Sequence, residues 1–284
     1  MDDMGHLSPE RRVQRDFFVA DLFDISPKDD ISSMEHPIFA FKGGDTRLRQ
    51  YEHNGVSLTV EPGRFGLATI HDKDIWIYCI SQLSEAMNRD RKDVSRTIRF
   101  VAYDFLKTTN RPTTGGSYKR LGDALARLAG TRLEINKETN GKRSRGGFGL
   151  IDSWEIVEKD GSDRMVSLEV TLPDWLYRAV QGREVLTISK DYFRLRKPLD
   201  RRIYEIARKH CGRQSTWKIS LGLLHLKSGS TASLREFRRA IKSLADSNEL
   251  PDYRVKFVPE TDMLTFFSRK PKGQIAEMVM TLAI

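Results

Sequence analysis

The chain has 284 residues, enough for two domains of ordinary size. It carries 48 Lys and Arg against 39 Asp and Glu, a formal net charge of +9, with a pI near 9.5 and a mean hydropathy of −0.50. This composition argues against a helical membrane protein and, with only Cys79 and Cys211, against a disulfide scaffold or a cysteine-bound zinc.

No apolar run approaches the roughly 18 residues needed to cross a bilayer, and the acidic N-terminus lacks the apolar stretch of a signal peptide. A cytoplasmic protein with no membrane association is expected. The basic balance suggests a polyanionic partner.

In chain order, residues 1–15 are polar and aperiodic and predict a flexible tail. Residues 16–41, with Phe17, Phe18, Leu22 and Phe23 before Pro27 and Pro37, predict an ordered leader packed on a neighbour. Strands are expected at Gly55–Val60 and Phe65–Ile70, around the turn Pro62-Gly63. Asp72–Asn88 is apolar nearly all round, as a central helix should be. A strand over 96–102, a short helix at Tyr103–Thr109 and a helix from Ser117 to Ala129 follow, the last stopped by Gly130.

Thr131–Asn136 predicts a strand, and Lys137–Gly147 a basic, Gly-rich loop. Strands at Phe148–Val157 and Arg164–Thr171 and a helix at Pro173–Gln181 complete a first domain, 16–187. The second domain, 188–284, has helices at Leu199–His210, Leu221–Leu226 and Thr231–Asp246. It has strands at Trp217–Ser220, Tyr253–Pro259 and Met263–Ser268. Ser233 and Glu236 have capping-box spacing before the last of those helices.

Both halves run helix, strand, short helix, turn, longer helix, strand, loop, strand. Leu121, Ala124, Leu125 and Leu128 match Phe237, Ala240, Ile241 and Leu244 at a constant offset of 116. The expected fold is α+β, with two tandem winged-helix (helix-turn-helix) domains related as a pseudo-repeat.

At 100° per residue, Leu234, Ala240, Ile241 and Leu244 fall within roughly 60° of Phe237. Arg235, Arg238, Arg239 and Lys242 fall on the opposite arc. On the first long helix Lys119, Arg120, Asp123 and Arg127 face outward, with small Gly122 and Ala126 letting the helix sit deep in a groove. A major groove admits one α-helix, and arginine forks match guanine N7 and O6. The loop Lys142-Arg143-Ser144-Arg145-Gly146-Gly147 stands where a wing would grip phosphates. The plain alternative for each cluster is an ordinary solvated face or hairpin tip. The expected DNA-binding set is Lys119, Arg120, Asp123, Arg127, Lys142, Arg143, Arg145, Arg235, Arg238, Arg239 and Lys242.

Three long strings carry a family resemblance. FFVADLFDISPKDDISSMEHPIFAF (Phe17–Phe41), RFVAYDFLKTTNRPTTGGSYKRLGDALARLAGTRLEIN (Arg99–Asn136) and GFGLIDSWEIVEKD (Gly147–Asp160) resemble the plasmid replication initiator protein A family. The resemblance implies tandem winged-helix domains that bind direct repeats (iterons) at a plasmid origin in double-stranded DNA. It implies opening of a neighbouring AT-rich region, recruitment of the host replication initiator and helicase machinery, and exchange between a monomer and a homodimer.

Enzyme chemistry is not expected. Among His6, His36, His53, His71, His210 and His225 no two stand one apart, so the His-x-His metal site of a nicking initiator is missing. Tyr103, Tyr118 and Tyr204 then read as packing aromatics. Asn140-Gly141-Lys142-Arg143 lacks the rest of a P-loop, and Asp72, Asp74 and Glu85 read as solvent-facing acids rather than a metal site. No cofactor is expected. A winged-helix transcriptional repressor without a role in replication is the alternative reading. A nicking enzyme and a protein that uses its basic face for an acidic partner are the remaining classes.

Overall fold

The computed structural model describes residues 26–53, 56–139, 142–158 and 165–282. The stretch read as a tail and the first part of the leader lie outside them. The first elements are β1 (Lys28–Asp30), α1 (Ile31–Glu35), β2 (Arg49–His53), β3 (Val56–Glu61), α2 (Lys73–Asn88), β4 (Thr97–Val101), α3 (Ala102–Thr108) and α4 (Gly115–Gly130). Then come β5 (Arg132–Thr139), β6 (Lys142–Gly149), β7 (Ser153–Glu158), β8 (Met165–Thr171), α5 (Asp174–Gln181) and β9 (Val185–Thr187). The remainder is α6 (Pro198–His210), β10 (Thr216–Ser220), α7 (Leu221–Ser228), α8 (Leu234–Ser247), β11 (Tyr253–Val258), β12 (Met263–Ser268) and α9 (Pro271–Leu282).

The chain divides into two compact units. The first holds the described residues up to Asp30 with Lys42–Val185, and the second holds Ile31–Phe41 with Leu186–Ile284. Of the leader expected in the first domain, Ile31–Phe41 therefore groups with the second unit instead. Arg202 on α6, itself 3 % exposed, donates from Nη1 to the carbonyls of Ser33 and Met34 and from Nη2 to that of Glu35, at 3.0–3.1 Å. Glu35 accepts from Lys227 at 2.7 Å and also from Lys209. Met34, Ile38, Phe39 and Ala40 are buried. A buried guanidinium needs acceptors, and the last carbonyls of α1 supply them. Nothing in the local sequence announces a bond to a residue some 168 positions away.

In the first unit α2 is the central helix. Ile75, Trp76, Ile77, Cys79, Ile80 and Leu83 are all buried, as its apolar periodicity predicts. Trp76 Nε1 donates to the Leu150 carbonyl at 2.7 Å. The charged start of α2 is buried too. Asp72, Lys73 and Asp74 are at most 3 % exposed, against the expectation of solvent-facing acids. Lys73 pairs with Asp29, Asp74 with Arg111 and Asp72 with Arg127, at 2.7–2.8 Å. Each buried charge is thus matched by one from another element, which is the condition for keeping a charge out of water.

Two sheets form here. One has the order β2-β3-β5-β6 and the other β4-β8-β7, all neighbours antiparallel. The described residues of the stretch Lys137–Gly147 are strand, not loop. β5 and β6 pair continuously from Arg132↔Gly149 to Thr139↔Lys142. Gly146 and Gly147, which suggested irregular chain, lie in β6, whose partner β5 is itself paired with β3. The expected strand Phe65–Ile70 is instead irregular chain that buries Leu67, Ala68 and Ile70. Gly66 takes φ +79° there, a left-handed conformation outside any strand.

In the second unit β10, β12 and β11 form an antiparallel sheet in that order. The same order holds for β4-β8-β7. Each three-stranded sheet follows a helix, and in each the first strand is separated from the later two by a pair of helices: α3 and α4, or α7 and α8. In the first unit the β5–β6 hairpin interrupts this series. The hairpin that completes the sheet of β4 is therefore β7–β8, not the Lys142–Gly147 stretch.

Candidate nucleic-acid interface

The most basic helix face lies on α8. Its start is a capping box. The Ser233 hydroxyl accepts from the Glu236 N–H, and the Glu236 carboxylate accepts from the Ser233 N–H. The Ser233 hydroxyl also donates to the Glu236 carboxylate at 2.8 Å, and this bond, that from the Ser233 N–H, and the charges of Arg235 and Arg239 hold the Glu236 carboxyl below the usual range. Asn248, in the left-handed region, ends the helix, and Arg269 clasps that end through the Asn248 and Leu250 carbonyls.

Phe237, Ile241 and Leu244 are buried, the core face the periodicity predicts. Leu234 is not: it is 42 % exposed, against the inward direction its angle predicts. Arg235, Arg239 and Lys242 are exposed and form no ion pair among the described residues. Arg238 behaves differently. Its two terminal nitrogens both bind the Asp262 carboxylate, one at 2.6 Å. It joins α8 to the β11–β12 turn, and part of its charge is neutralised there. At roughly 100° from Phe237 it sits at the edge of the outer arc, within reach of that turn.

The corresponding face of α4 is weaker. Lys119, Arg120 and Asp123 are exposed, and Arg120 donates to the Ser117 hydroxyl at 3.0 Å. Arg127 is not available as a reader. Its Nε and Nη2 bind both oxygens of Asp72 at 2.8 Å, and this contact raises its pKa further. Nor does Gly122 leave its side of the helix open. A methyl group on Gly122 would stand 3.7 Å from Ile156 Cδ1, so β7 already occupies that side.

Of the loop cations, Arg145 is exposed and bridges across the hairpin to Glu134 at 2.7 Å. The side chains of Lys142 and Arg143 lie outside the described residues. The structure thus brings Arg235, Arg239 and Lys242 together on one face and Lys119 with Arg120 on another. It draws Arg127 and Arg238 into structural pairs. Asp262 escaped the sequence reading because its partner is 24 residues away.

A family model described as "Replication initiator protein A" matches residues 28–255. The chain belongs to this family. A protein of Wigglesworthia glossinidia brevipalpis named "Putative replication protein" is 48 % identical over 259 residues, covering 90 % of this chain and 94 % of its own. Two crystal structures of domains 2 and 3 of RctB share the fold. One aligns with a TM-score of 0.60 at 12 % identity, covering 82 % of this chain and 94 % of the RctB chain. The other gives 0.58 at 10 %, covering 86 % and 99 %. The chain is therefore a replication initiator with a mixed α/β fold.

Other features of this initiator have structural roles. Cys79 and Cys211 are buried, and burial pushes the Cys211 thiol up. His210 stacks on Trp217, with centroids 4.9 Å apart. Burial, then the charges of Lys227, Lys209 and Arg202, bring its pKa down to about 4. Tyr204 is buried, accepting from the Ser189 N–H at 2.7 Å and donating to Asp252 at 2.8 Å. Among the described residues no cluster of three or more His, Cys, Asp or Glu is poised to hold a metal, and no helix is long and apolar enough to cross a membrane.

Proposed function

We propose that this initiator binds direct repeats in the duplex DNA of a plasmid origin, with α8 in a major groove. In this reading each unit is a winged-helix domain, and the β7–β8 and β11–β12 hairpins are the wings. The observation that carries it is the face of α8. Arg235, Arg239 and Lys242 are exposed on a capped helix whose opposite side is buried. Phosphate contacts supply affinity and salt dependence, and arginine forks supply base choice. On α4, Lys119 and Arg120 add a second, smaller contact.

Bound at the repeats, the protein promotes opening of the adjacent DNA and recruits host replication proteins, with a homodimer as an alternative state. It needs no cofactor and cuts no DNA itself. The family membership supports the origin, and the repeated strand order supports the paired winged helices.

A gel shift on fragments tiling the gene and its flanks tests this, in excess random competitor at about 150 mM salt. Discrete complexes on one fragment with direct repeats are expected from wild type. Arg239→Ala should lose them while keeping its fold. An Arg239→Ala protein that binds as tightly as wild type would remove α8 from the interface.

A further inference from the structure

We propose that Leu234 reads a thymine methyl group in the recognised site. This rests on the reading that α8 enters a major groove. Leu234 is the first residue of α8 and is 42 % exposed. The capping box fixes the turn around it, so its side chain leaves the helix in a set direction rather than fraying with the end. On the helical wheel it stands at the border of the apolar stripe, about 40° from Arg238, with the other cations on the arc beyond. Arg235 follows it, Arg238 lies one turn on, held by Asp262, and Arg239 and Lys242 continue the basic surface.

An exposed aliphatic side chain at the border of a cationic face fits a partner that is anionic and yet offers an apolar group. The major groove of duplex DNA does both. Phosphates line its edges, and the C5-methyl of thymine is the apolar group among the base-edge features. Residues at the N-terminal end of a recognition helix are the ones that reach base edges. Arginine forks favour guanine, so the leucine supplies a preference they cannot. At the offset of 116 the corresponding position on α4 is Tyr118, the fourth residue of that helix rather than its first.

The test starts from the site located by the tiling gel shift. Each thymine in turn is replaced by deoxyuridine, which removes only the methyl. Wild type should lose about fourfold in affinity at one or two thymines, the equivalent of ~0.8 kcal/mol for one buried methyl-sized group. Leu234→Ala should bind thymine and deoxyuridine equally at those positions. Leu226→Ala, which changes an exposed leucine on α7, should discriminate as wild type does. Thermal unfolding of Leu234→Ala at the wild-type temperature separates lost contact from lost fold. The inference is overturned if Leu234→Ala keeps full discrimination, or if wild type binds its site with no methyl-sensitive thymine. Wild type that prefers no fragment at all overturns the origin-binding reading itself, and this inference with it.

Discussion

The helices α4 and α8 look alike on a helical wheel and differ in the folded chain. Each buries a stripe of apolar side chains and turns four charged positions outward. On α8, three exposed cations remain and one arginine is shared with Asp262. On α4, two cations remain beside Asp123, Arg127 is held by buried Asp72, and β7 covers the side carrying Gly122. Counting cations by angle overstates a binding face, because acids from distant elements subtract from it. In the proposed reading, the difference gives α8 the larger share of DNA affinity.

The largest expected effect sharpens this contrast by separating stability from binding. Arg127→Ala leaves the Asp72 carboxylate buried without its cation, a change that costs about 3 kcal/mol or more. Denaturant unfolding should register the loss, and a stability equal to wild type would show that Arg127 is not a strut. Arg239→Ala should do the reverse. Unfolding is unchanged, while specific affinity falls by roughly 1–3 kcal/mol, with relaxed preference at one base pair.

Ser233→Ala comes next. Losing the cap of α8 should cost about 1 kcal/mol of stability. It should also weaken specific binding, since the reading turn frays; undiminished binding would mean that the first turn of α8 makes no contact. The smallest effect is that of Asp262→Asn. Asp262 has φ 52°, which asparagine tolerates, so the turn should hold. Freed from its carboxylate, Arg238 becomes available to a phosphate. The slope of log affinity against log salt should steepen by about 0.9, with higher affinity for random duplex. A lower non-specific affinity would instead make the pair a required part of the interface.

A pH series sharpens the comparison within the second unit. The pKa of His210 falls from its ordinary 6.5 to about 4 in the fold. The unfolded chain therefore binds more protons between those values. From this group, stability should drop as the pH falls from about 6.5 to 4 and change little below that. His210→Gln should flatten that part of the profile.

The sequence by itself determined the elements whose causes are local. The capping box of α8 needs only Ser233 and Glu236 three residues apart, and both reciprocal bonds form. The all-round apolar pattern of Ile75–Leu83 makes α2 central wherever the rest of the chain lies. β12 begins and ends where its β-type residues do. The family, too, was legible in long strings of the chain, and the match over 28–255 bears it out.

Tertiary structure decided whatever depends on partners far along the chain. Lys142–Gly147 becomes a strand because β5 continues beside it, and β5 is itself aligned by β3. Ile31–Phe41 joins the second unit because Arg202 needs carbonyl acceptors and α1 ends with them. Arg127 and Arg238 are drawn into ion pairs because Asp72 and Asp262 reach them. Helical periodicity depends on spacing within a few residues, so it tells which way a side chain points. What waits there is supplied by the fold.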